Sequence, residues 1–222
     1  MNPGAHLIAA RFPEFEAAQK VLSEVVPSDW VPTTPDGPYK NDGWRVVKIV
    51  DEGKRTDFAQ RHPDIGRVLD YFQDPIVMAV YYSMLPGAVL HPHRDLSGTL
   101  EFGRLRFHVP IETSSSVNFM VSKKRVPMKV AEMWALNTSY LHAVENNSSI
   151  DRIHLVVEVE ARDWSWSMLP PKTLGYYCHF AWFMSLIAWR GFTKAVTDRN
   201  ALRSYARMSR FLVSRILGRR PG

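Results

Sequence analysis

Between residues 76 and 160 the chain breaks into short segments of strand pattern, and this series constrains its fold more than any other feature. Ile76–Met84 is apolar but for Ser83, the pattern of a buried strand. Over Arg104–Ile111 the alternation sends Arg104, Arg106 and His108 to one face and Leu105, Phe107 and Val109 to the other. In Arg152–Glu160, Arg152, His154 and Val156 face one way while Ile153, Leu155 and Val157 face the other. Ser115–Val121, Glu132–Leu136 and, earlier, Trp44–Val50 read as further strands, with Ser122–Arg125 as a solvated hairpin tip. Helical spacing before them is confined to Pro13–Val26, through Phe15, Ala18, Val21, Leu22 and Val25, and to the short stretch Pro63–Phe72. Pro32–Asp42, rich in Pro, Gly and Asp, is expected to be a loop serving as a flap beside a pocket. Some eight strands framed by helices predict a mainly β, closed or sandwiched antiparallel fold.

Chemistry concentrates in the same interval: His93-Arg94-Asp95, then His142, then Arg152 ten residues further on. Two imidazoles and one carboxylate can occupy one face of a ferrous ion and leave the opposite positions open. His93 and Asp95 are two apart, so on an extended segment both side chains point the same way. Arg152 adds a permanently charged fork suited to a carboxylate. Taken singly these residues are weak signals, because a His-x-Asp triplet arises easily by chance. The polar face of Arg104–Ile111 fits either a charged pocket wall or a sheet facing solvent.

The wording around the ligands narrows the reading. Leu85-Pro86-Gly87-Ala88-Val89-Leu90-His91-Pro92-His93-Arg94-Asp95 resembles the strand that carries the first metal ligand in the aspartyl/asparaginyl β-hydroxylase family, which includes bacterial proline hydroxylases and a lipid A hydroxylase. Gly103–Val109 looks like its next strand, Ala131–His142 is similar to its second ligand block, and Ser149–Val159 resembles its closing strand with the keto-acid arginine. The resemblance implies a jelly-roll (double-stranded β-helix) fold, Fe(II) as cofactor, 2-oxoglutarate and O2 as cosubstrates, and hydroxylation of an unactivated carbon. It assigns His93, Asp95 and His142 to the metal, and Arg152, helped by Arg106 and His108, to the 2-oxoglutarate carboxylate. Two positions depart from the family pattern: Ala131 stands where members often have Gly, and Asn137 where they often have Asp. Asp95 is kept, as in the bacterial members acting on small substrates.

Charge divides the chain in two. Residues 1–171 carry 18 Lys+Arg against 21 Asp+Glu, whereas residues 172–222 carry 10 Lys+Arg against Asp198 alone. The expected organisation is a jelly-roll oxygenase domain over 1–171 and a basic, aromatic-rich helical tail over 172–222. Leu174–Trp189 lacks Lys, Arg, Asp and Glu for sixteen residues, short of the roughly 18–20 that span a bilayer. From Arg199 a basic amphipathic helix is expected, with Arg203, Arg207 and Arg210 opposite Leu202, Leu212 and Ile216. Such a tail either packs on the domain or lies on an anionic membrane surface between residues 174 and 217. No nucleic-acid module accompanies the arginines. The single cysteine, Cys178, excludes an internal disulfide and a cysteine-based zinc cluster. With no signal-like pattern in Met1–Lys20, the expected location is cytoplasmic, with peripheral contact at the inner membrane face.

Three functional classes meet these constraints. A 2-oxoglutarate-dependent dioxygenase acting on an amino-acid-derived or lipid substrate accounts for every block. A non-catalytic jelly-roll module docked through its tail is the alternative. A zinc hydrolase with the same ligands explains neither Arg152 nor the flanking blocks.

Overall fold

The structure is a computed structural model and describes residues 2–33 and 43–197. In chain order its elements are β1 (Ala5–Ala9), α1 (Phe15–Ser23), β2 (Val31–Pro32), β3 (Trp44–Asp51), β4 (Lys54–Arg55), α2 (Asp57–Arg61), α3 (Ile65–Asp70), β5 (Ile76–Met84), β6 (Val89–His93), β7 (Arg104–Glu112), β8 (Val117–Val121), β9 (Lys124–Arg125), β10 (Met133–Leu136), β11 (His142–Asn146), β12 (Arg152–Glu160), α4 (Asp163–Met168) and α5 (Leu174–Thr197). Among the described residues the strands form two antiparallel sheets. The larger runs β1-β10-β7-β12-β5-β3-β2, with β4 on β3, and the smaller runs β6-β11-β8-β9. From β5 to β12 successive strands alternate between sheets, save for the β8–β9 hairpin. That interleaving is the double wind of a jelly roll, so of the closed and sandwiched arrangements the chain adopts the sandwich.

The centre of the large sheet is buried on both faces, and β12 shows why its sequence looks as it does. All its residues but Glu160 are buried, since it is central in the sheet with helices outside and the small sheet inside. Leu105, Phe107 and Val109 of β7 pack on the helical side, where the Phe107 ring lies 5.6 Å from Phe72 and 5.6 Å from Trp164. Tyr81 of β5 is fully buried there and donates its hydroxyl to the Ala18 carbonyl of α1 at 2.7 Å. The polar face of β7 turns inward to a cavity between the sheets, which favours the pocket wall over the solvent-facing sheet. The remainder of that interior is apolar, built from Trp44, Met84, Leu90, Phe119, Val121, Leu136 and Val144. Complete burial of such side chains contributes about 1.5–3 kcal/mol each.

Several boundaries differ from expectation. The first helix stops at Ser23, because Pro27 holds Val26 extended (φ −100°, ψ 161°) and a short 3-10 turn follows. The hairpin tip is only Ser122 and Lys123, both with positive φ, while Lys124 and Arg125 pair back onto β8. Strands β1, β2 and β4 and helices α2 and α4 were not expected. The chain divides into two compact units at Pro170/Pro171. In the second, the expected apolar run is one helix, α5, with Trp182, Trp189 and Phe192 exposed along one side. No helix among the described residues is long and apolar enough to cross a membrane. Most of the Pro32–Asp42 loop (34–42) and the whole basic helix expected from Arg199 lie outside the described residues.

Candidate active site

His93 ends β6 and His142 opens β11, and the register of these antiparallel strands sets the two directly opposite. Their rings stand 4.2 Å apart, centroid to centroid. Asp95 lies just past the end of β6, on coil instead of on the strand the spacing had suggested. Its carboxylate still reaches back, with Oδ1 3.5 Å from His93 Nε2. One ligand atom from each of His93, Asp95 and His142 falls within 4.8 Å of the others, a group that could hold a metal ion.

The imidazoles are oriented for that purpose. His93 Nδ1 lies 2.8 Å from the His91 carbonyl, and His142 Nδ1 lies 3.0 Å from the Tyr140 carbonyl. A carbonyl oxygen only accepts, so Nδ1 carries the proton in both rings and Nε2 presents its lone pair in the neutral form. Burial, then the neighbouring charge of His93, pushes the His142 pKa down to about 4, so it is neutral at physiological pH. Burial alone would raise the Asp95 pKa. The adjoining His93 ring and the charge of Arg106 outweigh it and hold Asp95 at about 2. The donor set, two imidazole Nε2 atoms and one carboxylate, fits a divalent first-row metal.

The turn after β10 organises this group. Its Thr138 carbonyl accepts the Asp95 N–H at 3.0 Å, its Ser139 carbonyl accepts Arg94 Nη1 at 2.8 Å, and its Tyr140 carbonyl holds His142. Asn137 anchors the turn by donating to the buried Glu101 carboxylate at 2.9 Å while its Oδ1 accepts the Ser139 N–H.

Arg106 does not reach out freely. Nη1 donates to Asp95 Oδ2 at 2.6 Å and Nε to Glu158 Oε2 at 2.7 Å. Burial opposes its charge, but the two carboxylates raise its pKa above the usual value. Gly98, at φ +67°, passes close over this pair, where a Cβ would come within 3.1 Å of Glu158 Oε2. Only glycine meets both demands cheaply.

Arg152 is different. Its residue is 2% exposed, burial pushes its pKa down to about 9, and no carboxylate among the described residues pairs with it. Its Nη2 donates to His154 Nδ1 at 2.9 Å, its guanidinium lies 5.3 Å from the Phe119 ring centre, and its Nε has no partner. A buried unpaired guanidinium is costly, several kcal/mol in order of magnitude, and its natural complement is an anion that is not part of the chain. His108, whose Nδ1 is also buried without a partner, is kept neutral by burial and by Arg152.

One inter-sheet cavity of about 60 Å³ is lined by His93, His142, Arg106, His108, Phe119 and Arg152 together with apolar side chains. Five of the six residues marked from the sequence therefore share a single chamber, and the sixth, Asp95, is bound to Arg106. His154 was noted only for its strand face. The signal for it was its position two residues from Arg152 on one strand, which brings both side chains to the same side.

Residues 14–162 match the sequence profile of the aspartyl/asparaginyl β-hydroxylase family. Among solved structures, a 2OG-Fe(II) oxygenase family oxidoreductase from Burkholderia pseudomallei is 13% identical, covering 71% of this chain and 84% of that one, with a TM-score of 0.49. A Pseudomonas putida prolyl-4-hydroxylase is 12% identical, covering 72% and 93%, with a TM-score of 0.46. HygX from Streptomyces hygroscopicus, solved with nickel, 2-oxoglutarate and hygromycin B, is 14% identical, covering 72% and 84%, with a TM-score of 0.44.

Proposed function

Because the chain belongs to the aspartyl/asparaginyl β-hydroxylase family, we propose that His93, Asp95 and His142 hold its Fe(II) and that Arg152 receives the distal carboxylate of 2-oxoglutarate. Membership makes it a 2-oxoglutarate-dependent hydroxylase, with iron, 2-oxoglutarate and O2 as the family's cofactor and cosubstrates. The single observation that carries the residue assignment is the shared chamber, whose walls carry His93 and His142 of the three-residue donor group together with a buried, carboxylate-free guanidinium.

Bound iron supplies the redox chemistry that couples consumption of O2 and 2-oxoglutarate to hydroxylation of a substrate C–H bond. The chain's own part is placement and exclusion of water. The Nδ1 hydrogen bonds fix the direction of both Nε2 lone pairs. Arg106 occupies Asp95 Oδ2 and leaves Oδ1 as the oxygen turned toward the histidines. Arg152, held by His154 and stacked near Phe119, presents the remainder of its fork to a carboxylate. Leu90, Val144 and Leu136 keep the chamber apolar between these points.

On the substrate, the reading is an unactivated C–H of an amino-acid-derived or lipid molecule. Support for the lipid option comes from the second unit, with its basic sequence and the exposed Trp182, Trp189 and Phe192, a composition suited to an anionic membrane surface. The non-catalytic alternative is not favoured, because a docking module needs neither a metal-ligand group nor an unpaired buried cation. The test is succinate release from 2-oxoglutarate with Fe(II), against pooled amino acids and, separately, phospholipids. Substrate-dependent succinate is expected from the wild type and none above background from His142→Ala. Equal release from both proteins would refute the assignment.

A further inference from the structure

The three donors are not held alike. Strand pairing sets His93 opposite His142. Asp95 has no such support, because it lies on coil beyond the end of β6. Its carboxylate is steered by Arg106, and its backbone N–H is tied to the Thr138 carbonyl at 3.0 Å. Thr138 belongs to the turn 137–140, and the last carbonyl of that turn, on Tyr140, orients His142. The position of the acid donor relative to the second histidine therefore depends on where this turn sits.

Glu101 fixes the turn. It stands on a 3-10 turn, Leu100–Phe102, six residues beyond Asp95 on the same connection. The residue is 1% exposed, and its Oε1 accepts the Asn137 amide at 2.9 Å and the Ser139 hydroxyl at 3.0 Å. Its own base is firm, since the Thr99 carbonyl accepts both the Phe102 and the Arg104 N–H at 2.9 Å. The connection that carries Asp95 and the turn that leads to His142 are thus joined at two places, Asp95 to Thr138 and Glu101 to Asn137 and Ser139. The Gly4 carbonyl also accepts the Asn137 N–H at 3.0 Å, but that bond ties the turn to the segment before β1 and not to the connection of Asp95.

Asn137 and Thr138 line the chamber and Glu101 does not, so any influence of Glu101 on the donors passes through the turn. Packing alone does not call for a carboxylate there. Burying one is costly, and a neutral acceptor would also meet an amide and a hydroxyl. What a carboxylate oxygen adds is hydrogen bonds about twice as strong as those to a neutral acceptor, and hence a stiffer turn. The bond also has a direction, with the donor on Asn137 and the acceptor on Glu101.

We propose that Glu101 is a positioning residue for the metal: by clamping Asn137 and Ser139 it sets the span between Asp95 and His142, and so the affinity for the ion and the geometry of its ligands. The proposal rests on the reading that His93, Asp95 and His142 hold the metal, and it adds a fourth side chain to what that site needs. The direction of the bond supplies a reciprocal test. Asn137→Asp alone sets two acceptors against each other, whereas the same change together with Glu101→Gln reverses donor and acceptor and restores the bond.

The experiment titrates the metal-free full chain with Co(II), whose visible d–d bands report the geometry of its ligands, and reads affinity and spectrum together. Glu101→Ala should weaken binding about tenfold and shift the bands. Asn137→Asp should do the same, and the double variant Asn137→Asp with Glu101→Gln should return to within about threefold of the wild-type affinity and to its spectrum. Val68→Ala, which opens a cavity in α3 away from the chamber, should lower the Tm and leave affinity and bands unchanged, which separates positioning from general stability. If Glu101→Ala does not fold, Ser139→Ala removes one of the two donors to Oε1 and should weaken binding about threefold. Wild-type affinity and bands in Glu101→Ala, or in Ser139→Ala where that variant stands in, would overturn the proposal, as would a double variant no better than Asn137→Asp. The metal assignment fails by a different result, which is Co(II) binding in His142→Ala equal to that of the wild type.

Discussion

Replacing Arg106 with methionine isolates its role, because the variant keeps an apolar stem and removes only the charged fork. In the folded chain the fork bridges Asp95 at 2.6 Å and Glu158 at 2.7 Å. The side chains of Asp95 and Glu158 are 19% and 9% exposed, so Arg106→Met strands two carboxylates that solvent reaches poorly. Stranding one partner of a fully buried pair costs about 3–5 kcal/mol. Arg106 itself is 26% exposed, and screening at that depth lowers the expectation to about 2–4 kcal/mol. For a chain of this size that is a fall in Tm of about 4–16 °C. Thermal unfolding of chelator-treated protein measures it. Adding excess Mn(II) should then raise the Tm of the variant more than that of the wild type, because the ion restores a cation beside Asp95. An unchanged metal-free Tm would refute the argument and show that Asp95 and Glu158 do not depend on Arg106. If that result came with a raised KM for 2-oxoglutarate, the arginine would instead grip the cosubstrate directly, as the family resemblance had implied.

Arg152→Lys keeps the charge but loses the fork, so the apparent KM for 2-oxoglutarate should rise roughly 5- to 150-fold, and an unchanged KM would move the carboxylate elsewhere. Metal-free stability should depend on pH through His142. Its pKa is about 4 when folded and about 6.5 when unfolded, so stability is full above pH 6.5 and falls by about 3 kcal/mol as pH drops toward 4. Urea midpoints at several pH values test this, and a flat profile over that window would contradict it. Ala131→Gly should stabilise the chain by about 1 kcal/mol in the same assay, since Ala131 sits at φ +67°, and a loss of stability would show that its methyl packing matters more. The full chain should co-sediment with phosphatidylglycerol vesicles, less so at high salt, and neither with neutral vesicles nor after truncation at Pro171. A full chain left in the supernatant with both lipids would remove the membrane role.

What could be read in advance followed burial. Ile76–Met84 and Arg152–Glu160 have in the structure the bounds read from the sequence, because each is a central strand whose pattern is dictated by both neighbouring layers. Arg104–Ile111 was legible through its alternation, with one face on the helices and the other on the chamber. By contrast β1 is five residues at a sheet edge, and its pairing with β10 joins segments over a hundred residues apart. Nothing local specifies that choice. In the site, each candidate ligand could be named from its motif, but the contacts among them could not. Arg106 was placed correctly on the face of His108, yet its bond to Asp95 links β7 to coil after β6, and its bond to Glu158 links it to β12. Such contacts depend on how three chain segments converge, and no spacing within one segment records them.

The two departures from the family pattern acquire physical reasons in that convergence. Ala131 takes a left-handed conformation because its backbone is pinned on both sides, its N–H to the Pro110 carbonyl at 3.0 Å and its carbonyl to the Phe12 N–H at 2.6 Å. Glycine would adopt it without strain, so the methyl group is tolerated at a cost. Asn137 is a matched exchange. Its amide donates to Glu101, which is 1% exposed, and an aspartate there would set two buried carboxylates against each other. The asparagine thus belongs with Glu101, and together they hold the turn whose next three carbonyls grip Asp95, Arg94 and His142. Asn137 thereby serves as the polar anchor beneath the donor group. For that reason a chain with an atypical residue five positions before His142 can still present all three donors within 4.8 Å.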